Sequence, residues 1–116
     1  TNSKVLANTS SGRGGGIYSD SGFLTLSKTS VSGNNTMEGG GIYNKDSTAT
    51  LNNSIISSNQ AVNGGGIESS NSDVTLNDST VSGNSATNSR GGVASTEGAI
   101  RINNSTLSGN SALEDA

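Results

Sequence analysis

Apolar residues recur at fixed offsets within a repeat of about 25 residues, a period typical of solenoid proteins. The clearest marker is Gly-Gly-Gly-Ile-Tyr at residues 14–18, which returns at 39–43, as Gly-Gly-Gly-Ile-Glu at 64–68 and as Arg-Gly-Gly-Val-Ala at 90–94. The first two intervals are equal, and the third is longer by a single residue. A repeat this short is one supersecondary unit that cannot bury its apolar face alone. The pattern therefore predicts a stack of similar units.

Alignment of the copies places apolar or small side chains in five columns. The columns are Ile17, Ile42, Ile67 and Val93; Leu24, Ala49, Val74 and Ile100; Leu26, Leu51, Leu76 and Ile102; Val31, Ile56, Val81 and Leu107; and Thr36, Ala61, Ala86 and Ala112. The second and third columns are two residues apart, which is the period of a β-strand with alternate side chains on opposite faces. Gly, Ser, Asn and Thr between the columns are poor residues for a helix interior.

Each repeat thus predicts three short strands separated by turns, which suits one coil of a parallel β-helix. Because parallel strands prefer right-handed crossovers, we expect a right-handed solenoid. The whole chain, 1–116, forms one domain of about four and a half coils: a partial coil at 1–13 and coils at 14–38, 39–63, 64–89 and 90–116. The extra residue of the third interval is expected in a corner loop at 85–89, because an insertion within a strand would invert its faces.

Polar residues also repeat in register. An Asn column is predicted to form a hydrogen-bonded ladder, with small residues before it at a tight corner. Its members are Asn34, Asn59, Asn84 and Asn110, preceded by Gly33, Ser58, Gly83 and Gly109. A hydroxyl column lies near the same corner, at Thr29, Ser54, Ser79 and Ser105. We interpret these columns as structural.

Composition excludes several classes of protein. Hydrophobic residues are only 28% of the chain, but the net charge of −3 is small and the apolar residues are periodic, which favours a folded solenoid over disorder. The absence of Cys and His removes disulfides, thiolate metal sites and the usual general base. Six Lys and Arg against nine Asp and Glu do not give the basic surface that nucleic acid requires. No apolar run approaches the ~18 residues of a membrane span.

The repeats resemble those of a known group of bacterial proteins. The phrase Gly-Gly-Ile at 40–42 and the apolar-x-x-Asn step at 31–34, 81–84 and 107–110 are similar to repeats of chlamydial polymorphic outer-membrane proteins and of other large bacterial surface β-helix proteins. The resemblance spans residues 1–116. It implies an extracellular or cell-surface passenger used for adhesion or as a stalk, and it carries over no catalytic residue.

β-Helices also carry polysaccharide lyases and hydrolases, which need clustered carboxylates. Asp20 and Asp46 are expected near each other on adjacent coils, with Glu97 on the same side. The six basic residues do not converge on any acid pair. We therefore predict no catalytic residue, no metal site and no cofactor, and keep a carbohydrate-active or carbohydrate-binding β-helix as an alternative.

Two further surfaces are candidates for contact. Tyr18 and Tyr43 each follow a buried Ile by one residue, so both rings are expected to face outward, stack and form a candidate contact surface for a sugar or a partner. Thr25, Thr50 and Thr75 form an outward rank that resembles ice-binding solenoids, although Arg101 interrupts it. Ice binding is a minor alternative.

We expect a non-catalytic extracellular structural protein that self-assembles or belongs to a longer array. The ends of a β-helix expose unpaired backbone groups, and no capping segment is visible in the sequence. The predicted partners are neighbouring repeats of a longer chain or a second copy stacked end to end into a fibre, with host or surface glycans as further candidates. Nucleic acid and a membrane span are not expected.

Overall fold

The computed structural model describes residues 4–6 and 8–112, and these contain sixteen strands and no helix. The predicted coils also include residues 1–3, 7 and 113–116, which lie outside the described residues. In chain order the strands are β1 (Lys4–Leu6), β2 (Ile17–Asp20), β3 (Phe23–Ser27), β4 (Ser30–Ser32), β5 (Ile42–Lys45), β6 (Thr48–Asn52), β7 (Ile55–Ser57), β8 (Gln60–Asn63), β9 (Ile67–Ser70), β10 (Asp73–Asn77), β11 (Thr80–Ser82), β12 (Ser85–Ser89), β13 (Val93–Thr96), β14 (Ile100–Asn103), β15 (Thr106–Ser108) and β16 (Ser111–Ala112).

The strands stack into four parallel sheets, one for each side of a coil. The orders are β1-β4-β7-β11-β15, β2-β5-β9-β13, β3-β6-β10-β14 and β8-β12-β16. Each strand pairs with its equivalent in the next coil, so that Ile17 lies beside Ile42 and Ile42 beside Ile67. The predicted parallel β-solenoid is therefore confirmed, with principal extents of 29 × 25 × 24 Å. Its right-handed winding stays a prediction.

Three strands of each coil are those that the apolar columns predict, and a fourth short strand adds to them. β8, β12 and β16 form this fourth side, which contains the small fifth column. In β8 only Ala61 is buried, while Gln60 and Val62 on either side are exposed. A single small residue between polar neighbours is a weak strand signal, which is why the sequence indicated three strands and a turn.

The apolar core runs along the axis of the solenoid. Most of the predicted column residues are buried, and the largest apolar side chains that are fully shielded from solvent are Val31, Ile42, Leu51, Ile56, Ile67, Val74, Leu76 and Val81. The expectation of burial is wrong for two column residues: Ile102 is 46% exposed and Leu107 is 40% exposed. Both belong to the last described coil, where no described strand covers their outer side.

Every coil turns four corners, each through one residue with a positive φ. The φ values lie between 48° and 66°. The residues are Gly14, Gly39, Gly64 and Arg90; Ser21, Asp46, Asn71 and Glu97; Lys28, Asn53, Asp78 and Asn104; and Gly33, Ser58, Gly83 and Gly109. In the last of these four corners, the residue immediately before each Asn of the column turns the chain. The Asn amide is then directed along the axis, toward the next coil.

The Asn column forms a continuous hydrogen-bonded ladder inside the solenoid. The backbone N–H and the side-chain Nδ2 of Asn34 both donate to Oδ1 of Asn59, each over 3.0 Å. Asn59 donates in the same way to Oδ1 of Asn84, again over 3.0 Å, and its Nδ2 also donates to the carbonyl of Val31. Asn8 and Asn110 extend the ladder at either end. Buried polar groups are costly unless they are bonded, so the ladder is a requirement of the fold.

Hydroxyl groups form two further ladders. The backbone N–H of Thr29 donates to Oγ of Ser54, and that of Ser54 to Oγ of Ser79, over 3.1 and 3.0 Å. A second series, which the sequence did not indicate, joins Ser47 to Ser72 over 2.8 Å. Each of these hydroxyls also donates to the carbonyl two residues earlier in its own coil. The hydroxyls therefore close corners and join coils at once.

The glycine triplet has a structural explanation. The first Gly turns a corner with positive φ, and the other two lie where backbones approach closely. A Cβ at Gly40 would fall against the carbonyl oxygen of Gly65 in the next coil and would lie 2.7 Å from that of Gln60 in its own coil. A Cβ at Gly41 would lie 2.9 Å from Nδ2 of Asn59. The triplet therefore permits the corner and the close packing of successive coils.

The extra residue of the third interval lies within a strand. The register between β8 and β12 shifts between Ala86 and Ser89, which is a β-bulge. The expectation of a corner loop is corrected, because a bulge absorbs one residue while Ala86 remains buried and paired with Ala61.

Candidate binding surface

Two tyrosines stack where β2 and β5 pair. Tyr18 and Tyr43 are in register, their ring centroids are 5.4 Å apart, and their planes are inclined by only 12°. Parallel offset rings of this kind attract each other by about 0.5–1.5 kcal/mol beyond their buried area. The stack therefore holds the Tyr18 ring in a defined orientation.

Only one of the two rings is available to a partner. Tyr18 is 45% exposed, whereas Tyr43 is 5% exposed, so the expectation that both rings face solvent is corrected. Tyr18 covers one part of the Tyr43 ring, and the guanidinium carbon of Arg13 lies 5.1 Å from its centroid. Burial raises the pKa of the Tyr43 phenol, and the charge of Arg13 partly opposes this.

An ion pair lies beside the stacked rings. Arg13 and Glu38 occupy the same position in successive coils, and Nε of Arg13 donates to Oε2 of Glu38 over 2.9 Å. Their side chains are 47% and 36% exposed. Together with Gly12, Met37 and Tyr18 they line an open cavity of about 500 Å³, which we call the Tyr18 cavity.

Sequence reasoning missed Arg13, Met37 and Glu38. The signal was present, because Arg13 and Glu38 are separated by one full repeat and carry opposite charges. In a solenoid, opposite charges at the repeat interval indicate an ion pair even where no acids cluster. Met37 follows the small fifth column and is 54% exposed in the structure.

Glu68 continues the tyrosine column and is unusual for a carboxylate. It is 8% exposed, and its Oε2 has no hydrogen-bond partner among the described residues. Its Oε1 lies 3.8 Å from Nη1 of Arg90. Burial raises the pKa of the Glu68 carboxyl, Arg90 lowers it in part, and the charge of Glu38 adds to the increase. Oε2 packs against Gly64, where an added Cβ would meet it.

Two of the three acidic residues considered for catalysis line one cavity, and the third does not. Asp46 and Glu97 line a second cavity, of about 350 Å³, which also includes Phe23, Asn71 and Asp73. Asn71 lies between their two coils, and its Nδ2 donates to Oδ1 of Asp46 over 2.7 Å. Asp20 does not line this cavity and accepts a bond from the adjacent Ser21. No group of three or more acidic side chains that could hold a metal ion occurs among the described residues.

The outward Thr rank is present but short. Thr25, Thr50 and Thr75 pair in register on β3, β6 and β10, and Arg101 follows them on β14. The flanking outward column is Ser27, Asn52, Asn77 and Asn103, in which Asn77 donates to Asn52 and Asn103 donates to Asn77 over 2.9 Å. These amides therefore bond to one another along the sheet. Ice binding stays a minor alternative.

Comparison with known proteins gives no relative from which a function could be transferred. No family model, no curated protein and no solved structure matches the chain. Within residues 4–6 and 8–112 there is no helix with the length and apolarity needed to cross a membrane.

Proposed function

We propose that the chain is a non-catalytic structural protein of the extracellular space or cell surface, whose stacked coils form one segment of a rigid rod. In this role it is a β-solenoid module of a bacterial adhesin or stalk. Successive coils supply length and stiffness, and the lateral faces carry side chains that are not needed for the fold.

One observation carries this proposal: a buried column of Asn side chains is hydrogen-bonded from coil to coil. Asn34, Asn59 and Asn84 are each at most 1% exposed, and each donates two hydrogen bonds to the next coil. The polar interior of the chain thus joins neighbouring coils. Such nearest-neighbour bonding is what a rod-like solenoid needs if it is to resist separation of its coils.

The sequence resemblance supports the location. Gly-Gly-x-Ile and apolar-x-x-Asn steps are similar to repeats of bacterial surface β-helix proteins, and both phrases take part in coil stacking here. Gly40 and Gly41 permit close approach of two coils, and Asn59 belongs to the buried ladder. This supports a shared architecture, from which we propose a shared surface role.

Antibody labelling of the producing cells tests the proposed location. Antibodies raised against the purified chain should label intact cells as strongly as permeabilised cells, since a surface module is accessible without disruption. A cytoplasmic marker protein, labelled only after permeabilisation, is the control. Labelling that requires permeabilisation, or release of reducing ends from a panel of polysaccharides by the purified chain, would contradict the proposal.

End-to-end assembly into a fibre is a second candidate role. It requires contact at the end where Ile102 and Leu107 are exposed, two side chains whose equivalents Leu76 and Val81 are fully buried in the preceding coil. A second copy covering this end would bury both. Sedimentation velocity across a hundredfold range of concentration, with negative-stain imaging, should then show filaments that lengthen with concentration. A single monomeric species throughout would exclude this role and leave the stalk module.

A further inference from the structure

We infer that the Tyr18 cavity binds a neutral sugar ring. Tyr18 stacks on the C–H face of the sugar, and Arg13 and Glu38 bond its hydroxyl groups. Tyr18 lies on β2, the outermost described strand of its sheet, and the ring face that does not stack on Tyr43 is directed toward that end of the solenoid. The inference therefore applies where no further coil and no second copy covers this face.

The stacking surface is preorganised. The Tyr18 ring is 45% exposed, and its plane is held within 12° of that of the buried Tyr43 ring. Tyr43 is in turn fixed by the guanidinium of Arg13, 5.1 Å from its centroid. A ligand that stacks on Tyr18 therefore loses little affinity to the ordering of that side chain. Large, rigid aromatic surfaces of this kind are the usual anchors of recognition.

The polar groups beside the ring match hydroxyls. Nε of Arg13 donates to Oε2 of Glu38, and both side chains are partly exposed. A guanidinium has further N–H donors and a carboxylate has a second oxygen, so each group can bond a ligand without breaking the ion pair. Donors and an acceptor therefore lie side by side. A sugar hydroxyl both donates and accepts, so adjacent hydroxyls can bond to the arginine and the carboxylate at the same time.

The charge of the cavity argues for a neutral ligand. Arg13 and Glu38 cancel, and the remaining lining residues, Gly12, Tyr18 and Met37, carry no charge. An anion would be repelled by Glu38 and a cation by Arg13, so neither gains a net attraction. Met37 supplies a second apolar surface, and the volume of about 500 Å³ is within the range of small-ligand sites. A flat, neutral, hydroxyl-rich ring satisfies all of these features.

Titration with cellobiose tests the inference. Its pyranose hydroxyls are equatorial, which leaves both ring faces apolar. Because the protein has two tyrosines and no tryptophan, tyrosine fluorescence together with the NMR shifts of the Tyr18 ring reports on this site. Cellobiose should perturb Tyr18 in a saturable way, with sorbitol at the same concentrations giving no saturation because it lacks a ring. Digalacturonate should bind no more tightly than cellobiose, because Glu38 offsets the attraction of Arg13 for its carboxylates.

Matched variants separate stacking from general effects. Tyr18→Ala should weaken cellobiose binding about tenfold, whereas Tyr18→Phe should keep it within about threefold, since the ring is retained. Glu38→Gln should shift the preference toward digalacturonate, because it leaves the charge of Arg13 unopposed. Phe23→Ala removes an aromatic that is 87% exposed but lies outside the Tyr18 cavity, and it should leave binding unchanged. Circular dichroism and melting curves establish that each variant is folded.

Several results would overturn the inference. They are the absence of any saturable cellobiose effect on the folded wild-type chain, equal saturation by sorbitol, tighter binding of digalacturonate, and equal loss of binding in Tyr18→Ala and Phe23→Ala. A Tyr18 shift that changes on dilution of the protein alone would assign this surface to a second copy and would also overturn it. None of these results bears on the cell-surface labelling experiment, so failure of the sugar site leaves the structural role untouched.

Discussion

Corner residues illustrate what single side chains contribute to this fold. Ten of the sixteen positive-φ residues in the described part of the chain are not glycine. Five of them are Asn or Asp, which adopt this conformation more readily than other side chains. The others are Ser21, Lys28, Ser58, Arg90 and Glu97. A left-handed conformation costs such residues roughly 1–2 kcal/mol, so the fold can be stabilised at these positions.

Ser58 is the clearest of these positions, because glycine occupies the same corner at Gly33, Gly83 and Gly109. Ser58 is exposed with a φ of 55°, and its hydroxyl makes no hydrogen bond in the described structure. Ser58→Gly should stabilise the fold by about 1 kcal/mol, since glycine adopts this φ without strain. Urea unfolding gives the difference in free energy.

Gly83→Ser is the matched reverse change. A Cβ there meets nothing closer than 3.8 Å, so only the conformational cost remains. It should destabilise the fold by a similar amount. Equal stability of the two variants would contradict the assignment of the cost to backbone conformation.

The buried carboxyl of Glu68 should make the stability of the fold depend on pH. Burial raises its pKa in the folded state above the ordinary value of 4.5, so protonation favours the fold. The stability from this group is fully present below its unfolded pKa and is lost as pH rises through the raised folded value. Glu68→Gln should therefore flatten the stability profile over this acidic range and raise stability at neutral pH. Melting temperatures at a series of pH values, with Glu97→Gln as an exposed control, measure both effects.

At the scale of strands and ladders, the repeat predicted much of what is observed. The repeat interval places like residues on neighbouring strands, as with Ile17 and Ile42 or Leu51 and Leu76. Alternation within Leu24-Thr25-Leu26 indicated the strand and its inward face. These inferences succeed because in a solenoid the nearest neighbour in space is the same position one repeat away.

Other features depend on how coil sides meet, which periodicity does not encode. Tyr43 was expected outside because it alternates with Ile42, but it is covered by Tyr18 and Arg13. Periodicity does not indicate the fourth strand of each coil, because Ala61 is the one buried residue of β8. The longer third interval predicts an extra residue but does not reveal which element absorbs it. The bulge in β12 is therefore not predictable from the interval. The Tyr18 cavity joins residues from both sides of a corner and was only partly foreseen.

The buried Asn ladder should be far more costly to interrupt than an exposed one. Asn59→Ala leaves both donors of Asn34 and the carbonyl of Val31 without their partner in a site that excludes water. We expect a loss of about 3 kcal/mol or more, since each unsatisfied buried group costs roughly 1–3 kcal/mol.

Asn77→Ala is the matched control for the ladder. Asn77 also bonds to an Asn above and below, but on the outer face of its sheet, where water can replace the amide. Its loss should cost less than about 1 kcal/mol. Chemical unfolding of both variants gives the comparison, and similar losses would show that burial of the ladder is not what makes it important.

The glycine triplet offers a second comparison at this scale. Gly40→Ala would place a Cβ 2.7 Å from the carbonyl oxygen of Gln60 and closer still to that of Gly65, so the two coils must separate. We expect a loss of at least about 3 kcal/mol or failure to fold, as for overpacking against rigid backbone. Gly22→Ala is the control, because nothing lies within 4 Å of its Cβ position. Thermal melting distinguishes the two, and a tolerated Gly40→Ala would contradict the close approach.

For the whole molecule, stability should vary along the axis. Leu51 and Ile102 occupy the same column, but Leu51 is 0% exposed between two coils and Ile102 is 46% exposed in the last described coil. Leu51→Ala should cost about 2–5 kcal/mol, because it opens a cavity in the core. Ile102→Ala should cost clearly less. Unfolding measurements of both variants, with hydrogen exchange that is slowest in β6 and β10, would establish the gradient, and uniform exchange would contradict it.

The ladders also give the rod a direction. In the Asn series and in both hydroxyl series, a backbone N–H donates to a side-chain oxygen of the following coil, as from Asn34 to Asn59, from Thr29 to Ser54 and from Ser47 to Ser72. One end therefore offers acceptor oxygens and the other offers N–H donors. Two like ends cannot satisfy each other, so a contact that continues these ladders must be heterologous, joining head to tail. Any assembly built on this bonding grows as a polar filament and does not close into a twofold dimer.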